Sequence, residues 1–188
     1  NEFENAGGDV VVEESYTGED QDFSAILTKV QDAGPDVLYL PDYYSTVNLI
    51  AAQAKERGID AAMMGGDGWD SSDLDRSVVE GGYYTNHFSP DDTRPIVQDF
   101  VSKYEEAYGS TPDALAALAY DAATILLQSM VDADTTSEPL EVAAAMENGS
   151  FQVVSGDISY DEFHNPVKAA VVLKVENGEI IYTDTIAP

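Results

Sequence analysis

The sequence predicts an α/β protein in which helices flank a parallel sheet. Over the first half of the chain, apolar runs typical of strands at residues 10–13, 37–40 and 61–64 alternate with amphipathic helical stretches at 22–33 and 45–58. Each helical stretch is long enough for a right-handed crossover between parallel strands. The predicted strands are nearly continuous apolar runs, which is typical of a parallel sheet covered on both faces.

Turn and cap residues set the predicted bounds of the two helices. Asp22 is placed to cap the first helix or to add negative charge to its first turn, and a Gly-Pro pair at Gly34 ends it. Ser45 or Thr46 caps the second helix, which ends at Gly58. The β-α-β-α-β order of the first half therefore has a structural reason at each helix boundary.

Helices dominate the second half of the chain. After one helical turn at 72–76, we predict a strand at 81–85, helices at 95–108, 112–131 and 138–147, and extended segments at 156–160, 169–175 and 179–183. The residues Glu176-Asn177-Gly178 are a strong signal for a hairpin that joins the last two segments. The helix at 112–131 is apolar over most of its surface, so we expect it to be deeply packed. Within it we expect Tyr120 in the core and Asp121 as a structural hydrogen-bond acceptor.

Two predicted strand ends carry the side chains that best fit a binding site. One strand leads into the glycine-rich loop Gly65-Gly66-Asp67-Gly68-Trp69, and its predecessor leads into Asp42-Tyr43-Tyr44. In open α/β sheets, ligands bind just beyond the carboxyl ends of the strands. The carboxylate and the aromatic rings of these segments can offer a cation an anionic contact and an aromatic wall. We therefore expect the two strand ends to form one wall of a small pocket.

The chain is strongly acidic. It carries 36 Asp and Glu residues against 8 Lys and Arg residues, which gives a formal net charge of −28. A surface of this charge repels phosphate backbones and anionic lipids, so we expect no nucleic-acid partner and no binding to such membranes. Solubility, or a cell-exterior or salty habitat, is the simplest interpretation of the charge.

Several kinds of site and segment are disfavoured by the sequence. It has no cysteine, which excludes disulfides, thiolate catalysis and cysteine-based zinc sites. His87 and His164 have no partner at metal-ligand spacing, so we expect both to be solvated and predict no metal and no cofactor. No apolar run approaches the roughly 18 residues of a membrane span, so we predict no membrane insertion. No signal peptide is visible, and residues 1–8 resemble the last turn of a helix with its glycine cap, so we expect the segment to begin inside a larger protein.

A series of motifs runs through nearly all of the chain. The motifs are Asp22-Phe23-Ser24-Ala25-Ile26-Leu27, Pro35-Asp36-Val37 with Tyr43-Tyr44, Gly65-Gly66-Asp67-Gly68-Trp69, Glu80-Gly81, Tyr104-Glu105-Glu106-Ala107-Tyr108-Gly109 with Pro112, Ala119-Tyr120-Asp121-Ala122 and Gly156-Asp157-Ile158-Ser159-Tyr160-Asp161. In kind and order they resemble the C-terminal part of the solute-binding proteins of branched-chain amino-acid ABC transporters, the Leu/Ile/Val-binding type. The set in this order, rather than any single motif, carries the resemblance.

The resemblance implies a periplasmic-binding-protein fold of class I, in which two α/β lobes joined by three crossing strands close over a ligand. It assigns residues 1–88 to the second lobe as an α/β unit. It assigns residues 89–168 mainly to helices and a strand of the first lobe, and residues 169–188 to a return hairpin of the second lobe. The first-lobe sheet would lie before residue 1, so we expect the N-terminal part of the parent protein to be absent from this segment.

The resemblance also implies roles for individual residues. In the family, an acidic residue in the loop that carries Asp67 pairs with the α-ammonium of the ligand, which makes Asp67 the best candidate, and a ring at the position of Tyr43 walls the ligand side chain. Gly66, Tyr44 and Trp69 complete the predicted ligand-binding set, and Trp69 either covers the cleft or fastens its loop to the lobe. The alternatives are that Asp67 solvates the backbone of its own turn and that Tyr43 is an ordinary tyrosine at a strand end.

Three functions follow as hypotheses. The first is the extracytoplasmic solute-binding component of an ABC transporter, periplasmic or lipid-anchored, which binds a branched-chain or other amino acid by lobe closure and is read by a membrane permease. The second is a sensor or receptor ectodomain with the same fold. The third is a hydrolase in which Asp67 and His87 do acid–base work. The chain has no serine elbow, phosphate-binding glycine loop or metal set, so we predict that it is not an enzyme.

Overall fold

The computed structural model describes residues Glu2–Pro188. The chain divides into two compact units. Unit 1 comprises the residues up to Tyr84 together with Lys174–Ile180, and unit 2 comprises Thr85–Leu173 and Ile181–Pro188. Within the described residues, the chain therefore passes from one unit to the other three times.

Most elements of the secondary structure follow the predicted order. The helices are α1 (Glu2–Asn5), α2 (Ser24–Ala33), α3 (Tyr44–Glu56), α4 (Pro95–Tyr108), α5 (Ala114–Asp132) and α6 (Pro139–Glu147). The strands are β1 (Val37–Leu40), β2 (Ala62–Gly65), β3 (Tyr83–Asn86), β4 (Phe151–Val153), β5 (Gly156–Tyr160), β6 (Pro166–Val167), β7 (Ala170–Glu176) and β8 (Glu179–Ile186). The sequence missed β4 and β6, because three and two residues are too few to show a period.

Unit 1 is built on the parallel strands β1, β2 and β3. They lie side by side in a five-stranded sheet of order β1-β2-β3-β7-β8, and the β7–β8 turn places Asn177 and Gly178 at positive φ, as the hairpin signal predicted. One face is well covered, because Leu40 and Met63 are buried. The expectation that helices cover both faces is wrong for these residues. On the other face Tyr39 is 61% exposed and Met64 39% exposed.

Two further predictions for unit 1 are wrong. Residues 10–13 form no strand, because they make no ladder with β1. Residues 72–76 form turns rather than a helical turn, and the Asn48 side chain holds them by donating to the Asp73 carbonyl and accepting from the Asp75 amide. These side-chain bonds replace the backbone bonds that a helix would need.

The ends of α2 and α3 illustrate which terminal signals were read correctly. Gly34 adopts φ 61° and closes α2, and the Asp22 carboxylate accepts from the Ser24 amide before the first turn. The predicted cap of α3 is wrong, since Ser45 and Thr46 lie inside the helix and Tyr43 is the residue that precedes it.

Unit 2 packs helices against an antiparallel sheet of order β4-β5-β6. One core cluster gathers Phe88, Val97, Phe100 and Val154, together with alanines of α5. A second joins Ile125 of α5 to apolar residues of β4 and β5. The α4 helix has its predicted bounds, and Gly109 at φ 71° ends it.

The helix α5 differs most from its prediction. It is not deeply packed, because Leu115, Leu127 and Val131 are each more than half exposed, and Tyr120 is 48% exposed rather than in the core. By length and composition alone, α5 is also long enough and apolar enough to cross a membrane, a test that the core helix of a soluble protein passes as well. The Asp121 carboxylate is buried in unit 2 and accepts hydrogen bonds from backbone amides, which indicates a structural role there.

Candidate functional site

The carboxyl ends of β1 and β2 lie side by side in unit 1. The strands are parallel, and their last paired residues are Leu40 and Gly65, so the segments that follow leave the sheet at the same edge. A Cβ atom at Gly68 would lie 2.6 Å from the carbonyl oxygen of Asp42 and 3.1 Å from the Cα of Tyr43. The two segments therefore touch, and only glycine allows so close an approach.

The turn after β2 presents Asp67 to solvent. Asp67 is the first residue of the 3-10 turn Asp67–Trp69, and its side chain is exposed. Backbone bonds from Trp69 to Gly66 and from Asp70 to Asp67 close the turn. Gly66 precedes it in an extended conformation, and a Cβ there would meet no atom within 4 Å. Backbone bonds thus close the turn, and the Asp67 side chain lies at the surface.

The buried side chain of Trp69 holds this turn against the sheet. Its side chain is fully buried, and its indole Nε1 donates to the carbonyl oxygen of Leu40 at 3.1 Å. The centroids of its ring and the Tyr84 ring are 5.9 Å apart, and a Cβ at Gly65 would overlap the indole. A buried indole with a backbone partner fastens the loop to the sheet, so of the two predicted roles the geometry favours packing.

The segment after β1 presents Tyr43. Its side chain is 71% exposed, and it stands immediately before α3. Its backbone N–H donates to Asp42 Oδ1 at 2.6 Å, and its carbonyl accepts from the amides of Thr46 and Val47. Tyr44 is half-buried as the first residue of α3. Of the two neighbouring tyrosines, Tyr43 has the ring that is free to cover a ligand.

Sequence reasoning missed Tyr16 at this edge. The Tyr16 hydroxyl donates to Asp42 Oδ2 at 2.8 Å, across 26 positions of the chain. Burial, the hydrogen bond to Asp42 and the charge of Asp42 raise the pKa of Tyr16 to about 12. Its position in an irregular segment gave no periodic signal from which the contact could have been found.

The remaining candidates lie elsewhere in the fold. His87 Nδ1 is 3.5 Å from Lys168 Nζ, and His164 Nε2 is 3.5 Å from a Glu147 carboxylate oxygen. The prediction for Asp121 is confirmed, because its two oxygens each accept a backbone amide at 2.8 Å. Among residues 2–188, no three acidic or histidine side chains are grouped in a way that could hold a metal ion.

Comparison with known proteins identifies the family. A profile described as periplasmic binding protein matches residues 1–179. The chain belongs to this family. The predicted resemblance is thereby confirmed, and the family is one of solute-binding proteins rather than of enzymes.

Individual relatives refine the comparison. The chain is 36% identical over 165 residues to a Leu/Ile/Val-binding protein homologue of Brucella suis, and the match covers 85% of this chain and 43% of that protein. It superposes on a leucine-binding protein of Thermotoga maritima with a TM-score of 0.82 at 34% identity, covering 92% of this chain and 51% of the other. A branched-chain amino-acid transporter substrate-binding protein of Streptococcus pneumoniae, in complex with isoleucine, gives 0.77 at 26% identity, with coverage of 92% and 51%.

These matches confirm the class of fold. The α/β prediction and the assignment to class I of the periplasmic binding proteins agree with the matched structures. The chain spans about half the length of the relatives that it matches.

Proposed function

We propose that these residues belong to the solute-binding component of an ABC transporter, which binds a small zwitterion outside the cytoplasm and presents it to a membrane permease. The contact between the two strand ends carries this proposal, because it puts the turn that bears Asp67 beside Tyr43. The names of the relatives support it, since the Brucella protein is named for Leu, Ile and Val and the Streptococcus protein was solved with isoleucine.

The chemistry of this edge fits an aliphatic amino acid. The Asp67 carboxylate is exposed at the carboxyl end of β2 and can accept charge-assisted hydrogen bonds from an α-ammonium. The exposed ring of Tyr43 can cover an apolar side chain. A branched-chain amino acid carries both groups on one carbon atom, which suits a carboxylate and a ring held on touching segments.

The proposed action is binding without catalysis. The ligand would favour a closed arrangement of two lobes because it contacts both of them, and its differential affinity for that state would drive closure. The permease would then distinguish the closed form from the open form. Binding of this kind differs from hydrolysis in that it needs no nucleophile and no metal at the site.

We also propose that the site is completed by a first lobe, outside the residues described here. Two apolar surfaces of this chain support that proposal: the sheet face with Tyr39 and Met64, and the α5 face with Leu115 and Leu127. Covering them would remove apolar surface from water at roughly 25 cal/mol per Å². The assignment of residues 1–88 and 169–188 to the second lobe and of 89–168 mainly to the first stays a prediction.

Titration calorimetry on the natural full-length protein tests the function. We expect binding of leucine, isoleucine or valine, and a loss of about 100-fold or more in affinity for Asp67→Ala, because the ammonium would lose its charged partner. Asp60→Ala is the matched control, since Asp60 lies exposed before the amino end of the same strand. The 188-residue chain alone should bind far more weakly, because half of the contacts would be absent.

Two results would contradict the proposal. Unchanged affinity in Asp67→Ala would remove this turn from the site. Failure of the full-length protein to bind any amino acid, with intact folding by circular dichroism, would remove amino acids from the proposed function.

A further inference from the structure

Tyr16 reaches the proposed binding edge from an irregular segment that precedes α2. Its hydroxyl donates to Asp42 Oδ2 at 2.8 Å, while the other oxygen of the same carboxylate accepts the N–H of Tyr43 at 2.6 Å. One carboxylate thus joins a side chain that lies far away in sequence to the backbone of the residue proposed to cover the ligand. Both oxygens of Asp42 have a protein donor, which restricts rotation of the carboxylate.

Asp42 lies where a small displacement would matter. Its carbonyl oxygen and the Cα of Tyr43 are the atoms that a Cβ at Gly68 would strike. The peptide between Asp42 and Tyr43 therefore lies close to Gly68 of the Asp67 turn, and its N–H is held by the Asp42 carboxylate. A shift of this peptide would move the Tyr43 ring relative to Asp67.

Tyr16 is itself held firmly enough to act as an anchor. Its ring meets the ring of Phe23 edge to face, with centroids 5.2 Å apart. Phe23 is buried, and its backbone N–H donates to the Gln53 side chain of α3. Burial and the bond to Asp42 also raise the pKa of Tyr16, as expected for a phenol that keeps its proton as a donor.

We propose that Tyr16 is a positioning residue of the binding site, which acts through Asp42 to fix the place where the Tyr43 ring meets the ligand. This inference rests on the proposed function, because it assumes that Tyr43 contacts an amino acid. Tyr16 does not contact the ligand in this mechanism. Its hydroxyl restricts the Asp42 carboxylate, and the carboxylate restricts the start of α3.

The test measures leucine affinity in the natural full-length protein with Tyr16→Phe, which removes only the hydroxyl. We expect affinity to fall about 3- to 10-fold, the usual effect of one lost hydrogen bond. Asp42→Asn should give a similar loss, and the double variant should lose no more than Asp42→Asn alone. Tyr182→Phe is the control, because it deletes a hydroxyl whose hydrogen bond is a local one to Thr185.

A second background separates positioning from a merely structural role. In Tyr43→Leu, the effect of Tyr16→Phe on affinity should disappear, while its effect on the free energy of unfolding should persist. Wild-type affinity in Tyr16→Phe, or an equal loss with and without Tyr43, would overturn the inference. The proposed function survives a failure of this inference if the wild-type protein binds leucine and Asp67→Ala abolishes that binding. If wild-type protein binds no amino acid, both fail.

Discussion

Asp67 in unit 1 and Asp121 in unit 2 are carboxylates of the same chemistry in opposite surroundings. Asp121 is 2% exposed, and its oxygens accept the amides of Val154 and Ser155 at the turn between β4 and β5. Asp67 is exposed on a turn that backbone bonds hold closed. A buried carboxylate with two fixed donors stabilises the fold, whereas an exposed carboxylate at a strand end has the position that the proposed ligand contact requires. The surroundings, rather than the residue type, separate the two roles.

The largest effect is expected from Asp121→Ala. Two buried amides would lose their acceptor, and at about 1–3 kcal/mol for each, the free energy of unfolding should fall by about 3 kcal/mol in a urea titration. Asp121→Asn should lose less, because its amide oxygen still accepts one bond. Asp132→Ala in the same helix is the control, since the Asp132 side chain accepts a hydrogen bond from the exposed Gln128. Equal stability of Asp121→Ala and Asp132→Ala would contradict the structural role of Asp121.

An intermediate effect is expected from Gly68→Ala, which tests the contact beside Asp67. The added Cβ would lie 2.6 Å from the Asp42 carbonyl oxygen, so the segments must separate, at an expected cost of about 1–3 kcal/mol in unfolding free energy. Gly66→Ala, two residues earlier, makes the same change where a Cβ meets nothing. If both variants unfold at the same urea concentration, the two strand ends do not touch as described.

Asp42 is half-buried, and so lies between the buried Asp121 and the exposed Asp67 in exposure. The smallest effect is expected from its hydrogen bond with Tyr16, measured at high pH. The pKa of Tyr16 is raised from 10.0 to about 12 in the folded protein, so its stabilising contribution is complete below pH 10 and declines as pH rises toward 12. The stability difference between wild type and Tyr16→Phe should therefore shrink between pH 9 and pH 11.5, measured by thermal unfolding. A constant difference over that range would contradict the Tyr16–Asp42 bond.

Particular residues show how far the sequence could lead. Local sequence pattern predicted β1, α4 and β5 with their observed bounds, because strands and helices of this kind depend on near neighbours. The same logic put Asp67 and Tyr43 at adjacent strand ends. It failed for residues 10–13, because a strand needs a partner that local pattern does not reveal.

The sequence by itself determined the α/β class, the order of most elements, the family and the acidic surface, all of which depend on composition, spacing and local motifs. Only the tertiary structure decided that Trp69 is buried, that Tyr39 and Met64 are exposed, and that Tyr16 bonds to Asp42. Burial and long-range bonds arise when segments far apart in the chain pack together, and no local pattern records which segments will meet. That is why the strand ends were predictable, whereas the residue that holds them in place was not.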